Sequence, residues 1–174
     1  MSKIRYFLFC LPVVALAVAA PRFAEPTPVR VGVYDSRAVV IAFTHSAAGK
    51  ADLEKLMARY KAEKDETARA ALEKEGAALQ DRRHRQGFST ASIADVLEHM
   101  KGSLPTVANQ AHVDVLVSKW DVAFQKEGVE FVDVTNEMVA PFQPDENVKK
   151  MIESLSKVEP MALYGTQWET LEKH

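Results

Sequence analysis

HVDVLVSKWDVAFQKEGVEFVDVT, residues 112–135, decides the fold class of this chain. Val, Phe and Trp suddenly replace the Ala, Lys and Glu that dominate the preceding residues, and this composition is typical of β-strands. Two short strands with a bend between them form a β-hairpin, which is only marginally stable alone in water. The hairpin therefore needs the rest of its sheet from elsewhere.

A further strand is predicted at the start of VRVGVYDSRAVVIAF, residues 29–43. Val29, Val31 and Val33 alternate with more polar or smaller residues, as in a half-buried strand. Asp35 or Ser36 can then cap a short helix that runs to about Thr44. Its apolar face consists of Val39, Val40 and Phe43. An Asp-Ser-Arg after a strand also occurs in active sites, but we prefer the N-cap reading because no partner His or second carboxylate is identifiable.

Residues 47–86 predict one long charged helix, without proline and with a thin apolar stripe rich in alanine. Such a stripe suits a close helix–helix seam better than a thick core. At 1.5 Å per residue, residues 50–85 would reach about 54 Å and protrude from the body. The chain turns at Gly87, and residues 92–112 carry a second apolar stripe. Residues 47–112 are therefore predicted to form a helical hairpin of two arms.

PDENVKKMIESLSKV, residues 144–158, predicts a final helix, because Asp145 and Glu146 favour a helix N-terminus. Its apolar face consists of Val148, Met151, Ile152 and Leu155. Residues 159–174 form a tail with two aromatic residues, Tyr164 and Trp168. The fold class is thus α+β, with a body at 29–46 and 113–158 and arms between them.

The N-terminus predicts export. Residues 1–19 combine Lys3 and Arg5 with a short apolar run and a small-residue cleavage site, which together indicate a secretory signal peptide. The alternative is an N-terminal membrane anchor, but the run is short for a span of about 20 residues. Residues 20–28 follow as a Pro-rich leader.

Removal of this peptide would take away the only cysteine, Cys10, so the mature chain relies on packing or oligomerisation without disulfides. The basic residues fall from 22 to 20 against 24 acidic residues, a net charge of −4. This balance argues against general nucleic-acid binding.

The order of elements resembles the Skp and OmpH-like family of periplasmic outer-membrane-protein chaperones. VRVGVYDSRAVVIAF leads into a charged helical hairpin, VDVLVSKWDVAF matches a valine-rich strand that continues into a Val-Ala-aromatic segment, and FVDVTNEMV precedes a terminal helix. The resemblance covers residues 29–158.

The resemblance implies a homotrimer whose subunits pool their strands in a central body, with Val31, Val33, Val115 and Val117 in the oligomer core. Trimer closure would remove the exposed strand edges. It also implies a periplasmic location and a cavity between the arms that holds unfolded outer-membrane or exported proteins without ATP or another cofactor.

One charge cluster is a candidate contact site. Arg82, Arg83 and Arg85 lie beside His84 where the predicted arm turns. Basic arm tips could meet anionic lipid or lipopolysaccharide, or steer acidic clients. The alternative is an ordinary helix end, where cations suit the C-terminal dipole.

The sequence contains no metal-ligand spacing among its five histidines, no phosphate-binding loop and no nucleophile motif. We therefore expect a holdase chaperone and not an enzyme. The main alternative is a trimeric envelope structural or interaction protein that uses the same scaffold without holding clients. An α/β enzyme built on the VGVYDSR strand ranks behind both.

Overall fold

A computed structural model of the chain describes residues 28–162, which have an α+β architecture with a small parallel sheet and mostly helical structure. The predicted signal peptide, the leader up to residue 27 and the tail from residue 163 lie outside the described residues. The elements in chain order are β1 (Val31–Tyr34), α1 (Ser36–His45), α2 (Ala47–Ala62), α3 (Glu66–Phe88), α4 (Ala94–Met100), α5 (Leu104–Ala111), β2 (Val115–Ser118), β3 (Phe131–Asp133), α6 (Thr135–Val139), a 3-10 turn at Ala140–Phe142, and α7 (Glu146–Ser156).

The sheet has the order β2-β1-β3, and both outer strands run parallel to β1. The predicted hairpin is therefore wrong, because β1 lies between the two strands that were expected to pair. The amide of Lys119 donates to Tyr34 at 2.9 Å on one side of β1, and the amide of Val134 donates to Val33 at 2.9 Å on the other. Strand β1 thus forms backbone hydrogen bonds with both neighbouring strands. Residues 119–130 connect β2, at one edge of the sheet, to β3 at the other.

Helix α1 is the centre of the hydrophobic core. Asp35 is its N-cap and accepts a hydrogen bond from the amide of Arg37 at 3.0 Å, which confirms the N-cap reading. The predicted apolar face of Val39, Val40 and Phe43 is also confirmed, because each of these residues is at most 1% exposed. Helices α2, α3, α4, α6 and α7 all contact α1.

The junction between α1 and α2 depends on a glycine. Ser46 ends α1, and its hydroxyl donates to the carbonyl of Phe43 at 2.7 Å and accepts from the amide of Gly49 at 3.2 Å. A Cβ atom at Gly49 would lie 2.2 Å from the same Phe43 carbonyl oxygen, far inside van der Waals contact. Only glycine therefore lets α2 leave α1 so sharply.

The long helix predicted at 47–86 is interrupted at residues 63–65, where the chain reverses. Asp65 is the N-cap of α3 and accepts from the amide of Ala68 at 2.8 Å, while the Glu63 carboxylate accepts from the amides of Lys64 and Asp65. The polar run EKDE has no apolar residue to bury, so local caps win over helix continuation. The arm is the antiparallel pair α2–α3, and α2, with 16 residues, reaches about 24 Å and not 54 Å.

Residues 92–112 do not form the returning arm that we predicted. Ile93, Val96, Met100 and Val107 are each at most 4% exposed and belong to the same core cluster as α1. These buried residues pack α4 and α5 against the body. The arm therefore spans 47–88, and the predicted arm boundary at 112 is wrong.

Helix α7 agrees with the sequence. Asp145 caps it by accepting from the amide of Val148 at 2.9 Å, and Val148 and Ile152 are buried. Met151 remains 40% exposed. None of the helices within residues 28–162 combines the length and the hydropathy that crossing a membrane requires.

Candidate functional site

The two faces of the sheet have different environments. Gly32 and Tyr34 of β1 point to the core, where Leu116 and Val132 also pack. A Cβ atom at Gly32 would lie 3.0 Å from Leu116 and from Val113, so a larger residue would crowd this face. The alternate residues of each strand must then point to the opposite face.

That opposite face, which we call the open face, contains the four valines predicted for the oligomer core. Their register pairs Val31 with Val115 and Val33 with Val117, and Phe131 lies opposite Val31 on the other side. None of these residues belongs to the buried core of residues 28–162.

The open face is unusual for a parallel sheet. Such sheets occur almost only where both faces are covered, because their strands are apolar on both sides. Val115 is nevertheless 47% exposed, and Phe124, in the loop after β2, is 82% exposed. Strands β2 and β3 also form the two edges of the sheet within the described residues. An exposed apolar face and unpaired strand edges are both typical of surfaces through which protein chains associate.

The arm has a thin apolar seam and polar flanks. Leu56 of α2 and Leu72 of α3 are the large apolar residues buried in the arm, each 9% exposed. Near the tip of the arm, Arg59 pairs with Glu75 at 2.8 Å, and the hydroxyl of Tyr60 donates to Glu73 at 2.8 Å. These exposed contacts contribute little stability, so the seam decides whether the arm stays closed.

Two large apolar residues of α2 remain half exposed beside the seam. Leu53 is 51% exposed and Met57 is 49% exposed, one helical turn apart. They form an apolar strip on the arm, which we call the arm strip. A strip of this size can contact an extended apolar segment but buries too little area to hold it tightly.

The predicted basic arm tip is wrong in position. Arg82, Arg83 and Arg85 lie near the end of α3 that joins the body, because the chain reverses at residues 63–65 and not at Gly87. The true tip carries Glu63, Lys64 and Asp65. The three arginines therefore surround the base of the arm.

The side chain of Arg83 has a different environment from those of Arg82 and Arg85. Its guanidinium donates to Gln86 at 2.7 Å and to Asp95 at 2.8 Å, and lies 4.9 Å from the ring centroid of Phe43. Burial raises the pKa of Asp95, but hydrogen bonding by Gln86 and the charge of Arg83 outweigh it and lower that pKa below its ordinary value. Arg83 thus joins α3, α4 and α1.

Arg82 and Arg85 are more exposed. Arg82 lies 3.8 Å from Asp95 with a side chain 56% exposed, and Arg85 pairs with Asp81 one turn earlier. These two are the members of the cluster that can still meet an anionic partner.

A polar cluster at the carboxyl ends of the strands was not predicted as a unit. Asp35 follows β1, and Lys119 and Trp120 follow β2. Lys119 approaches the Asp35 carboxylate at 2.9 Å, and the Trp120 indole donates to it at 3.1 Å. The Arg37 guanidinium also binds this carboxylate at 2.8 Å and lies 4.8 Å from the Trp120 ring centroid. In the sequence, the signal for this cluster is a charged residue directly after each of two strands. Because the two strands are parallel, their carboxyl ends, and therefore these two residues, lie at the same end of the sheet.

Ligands of open α/β sheets bind at this edge, and unpaired polar groups there would indicate a ligand site. A pocket of about 260 Å³ with a mixed polar and apolar lining lies beside Asp35, Asp133 and Thr135. Yet no buried side-chain nitrogen or oxygen within the described residues lacks a hydrogen-bond partner. The Asp35 carboxylate is already bound by Arg37, Lys119 and Trp120, which suits a structural role. Across residues 28–162, no group of three or more His, Cys, Asp or Glu could hold a metal ion.

Comparison with known proteins adds no relative: no family model, no curated protein and no solved structure matches the chain.

Proposed function

We propose that this protein is an ATP-independent periplasmic holdase, built as a homotrimer on a Skp-like scaffold, that binds unfolded outer-membrane or exported proteins. The observation that carries the proposal is the open face: a parallel sheet with Val31, Val33, Val115, Val117 and Phe131 outside the buried core. The proposal requires no catalytic step and no cofactor.

Association through the open face would bury apolar residues that a lone subunit leaves in water. It would also pair or cover the edges of β2 and β3, which otherwise invite uncontrolled strand addition. The arms leave the body through α1, directly after β1. Copies joined through their sheets would therefore carry several arms around one central body.

Client contact is assigned to the arm strip of Leu53 and Met57. Its small apolar area supports weak and reversible holding of many segments. Arg82 and Arg85, at the base of the arm, could steer acidic client segments or contact anionic lipid or lipopolysaccharide. The proposed periplasmic location rests on the predicted signal peptide at residues 1–19.

The shortness of the arm favours one competing proposal. An α2 helix of 16 residues reaches about 24 Å, so the space between several arms is small. An envelope structural protein would use the same trimeric body without holding clients. Client binding separates the two proposals.

The functional test is the aggregation of an unfolded β-barrel outer-membrane protein diluted from urea, followed by light scattering without nucleotide. The holdase reading predicts suppression at near-stoichiometric trimer ratios. Leu53→Ser combined with Met57→Ser should weaken suppression, whereas Glu54→Ser combined with Lys61→Ser on the same helix should not. Unchanged aggregation of several β-barrel clients with the unaltered protein would leave the envelope scaffold in its place.

Assembly has its own test, by sedimentation at micromolar concentration. We expect a trimer, and we expect Val115→Asp to yield folded monomers, because Val115 is 47% exposed in one subunit and an aspartate there meets water once the subunits separate. Leu53→Asp, at an equally exposed position on the arm, should leave the trimer intact. A stable monomer of the unaltered protein would contradict the assembly model.

A further inference from the structure

A further apolar surface lies beside α1, and neither the open face nor the arm strip includes it. It is a groove of about 700 Å³ between α1, the end of α3, and α7. Its apolar lining consists of Val40, Ile41, Phe88, Met151, Leu155 and Val158. Phe88, Met151 and Val158 are 48%, 40% and 59% exposed, so three large apolar side chains meet at one open groove.

The chain itself runs along this groove before the described residues end. Val158 lines the groove, and its carbonyl accepts from the Arg37 guanidinium at 2.9 Å. The amide of Met161 then donates to the carbonyl of Phe88 at 2.8 Å, and the Ser89 hydroxyl donates to the carbonyl of Met161. The backbone at residue 161 is thus fixed against a wall of the groove.

The sequence that follows has matching chemistry. Residues 163–174, LYGTQWETLEKH, contain four large apolar residues within a polar frame: Leu163, Tyr164, Trp168 and Leu171. Their acids are Glu169 and Glu172. The basic residues that line the groove are His45, Arg83, His84 and Lys150. Within residues 28–162, neither Lys150 nor His84 has a carboxylate within salt-bridge distance.

We propose that segment 163–174 of the same chain occupies this groove, with Trp168 as its apolar anchor and with Glu169 and Glu172 facing Lys150 and His84. Trp168 follows Ala162 by six positions, which at about 3.3 Å per extended residue gives a reach of about 20 Å along the groove. An aromatic side chain buries about 150–250 Å² and is the usual anchor of such a groove.

Tethering favours this occupant over a second copy or a client. A segment fixed at the edge of its own site acts at a local concentration on the order of millimolar, well above that of a free competitor at micromolar concentration. Docking would cover Phe88 and Met151 and leave the open face available for assembly. The inference does not depend on the proposed chaperone function, since it is tested without any client.

The test is fluorine NMR of the full chain labelled with 5-fluorotryptophan. The chain has two tryptophans, so Trp168→Phe assigns the two signals. We expect the Trp168 signal to differ in position from that of the isolated 163–174 peptide and to show little solvent-isotope shift. Met151→Lys, in the groove, should move this signal to the peptide position and leave the Trp120 signal in place.

Met57→Lys is the matched control, because Met57 is also partly exposed, 49% against 40% for Met151, but lies on the arm. It should change neither signal. A Trp168 signal that already coincides with the free peptide, or that ignores Met151→Lys, would overturn the proposal. A signal that moves on dilution would assign the groove to the segment of a second copy and would also overturn docking within one chain.

Discussion

The guanidinium of Arg37 donates to both carboxylate oxygens of Asp35, at 3.1 and 2.8 Å, and both side chains are buried. The same guanidinium donates to the carbonyls of Val158 at 2.9 Å and Leu155 at 3.4 Å, beyond and within the last turn of α7. The Leu155 carbonyl also accepts from the amide of Val158 at 3.0 Å, so Arg37 adds a second donor at the end of this helix. One buried pair therefore ties β1, α1 and α7 together.

Acid should weaken this tie. Burial alone raises the pKa of Asp35, but hydrogen bonds from Arg37, Lys119 and Trp120 and the charge of Arg37 outweigh it and lower the pKa from 3.8 to about 2. Because the folded pKa is the lower one, the stability it contributes is present above about pH 3.8 and is lost as the pH falls towards 2. The loss should be about 2 kcal/mol in the free energy of unfolding.

Urea unfolding across this acid range measures the effect. Asp35→Asn should lower stability at neutral pH by about 3–5 kcal/mol, because it leaves the buried guanidinium of Arg37 without its carboxylate. The variant should also lose the part of the acid slope that Asp35 supplies. Glu75→Gln, in the exposed pair with Arg59, is the control and should behave as the unaltered protein. An identical acid slope in Asp35→Asn would contradict the assignment.

Glycine substitutions should differ sharply in their effects. Gly49→Ala places a Cβ atom 2.2 Å from the Phe43 carbonyl oxygen, so we expect a loss of about 1–3 kcal/mol or more. Gly76→Ala, within α3 and with its nearest contact at 3.8 Å, should instead stabilise by about 0.5–1 kcal/mol. Gly102→Ala meets nothing within 4 Å and serves as the control. Equal stability of all three variants would disprove the tight α1–α2 junction.

The arm should open without the body. Leu72→Ala removes a buried side chain from the seam and should destabilise the arm by about 2 kcal/mol, at the low end for such truncations because the site is shallow. Amides of α2 and α3 beyond residue 53 should then exchange about tenfold faster or more, since they open locally. Amides near Val39 and Val96 should keep their rates. Met57→Ala is the exposed control, and equally accelerated exchange in the body would mean that the arm and the body unfold together.

Substitutions of the three arginines should differ in their effect on the thermal stability of the protein. Arg83→Ser removes the bonds to Gln86 and Asp95 and the contact with Phe43, so it should lower the thermal midpoint by several degrees. Arg85→Ser breaks only an exposed pair and should leave the midpoint nearly unchanged. If the two variants melt alike, Arg83 does not join the helices as described. A charge-steering assay should therefore use Arg82→Ser with Arg85→Ser and keep Arg83.

Local patterns in the sequence were enough to predict several elements. The alternating Val residues give β1, Asp35 gives the cap of α1, and the spacing of Val148 and Ile152 gives α7. These signals act within a few residues, through backbone caps and the period of an apolar face. The valines predicted for the oligomer core share one sheet face for the same reason: alternation within a strand fixes which residues point together.

Tertiary structure decided what pairs with what. The hairpin signal in residues 112–135 was real as two strands, but β1 offers each of them a hydrogen-bonding edge, and the insertion of β1 between them cannot be seen in local pattern. The apolar stripe of α4 and α5 also looked like a returning arm. Only the depth of the core around α1 shows that it packs on the body, because burial depends on the whole set of neighbours and not on the spacing within one helix.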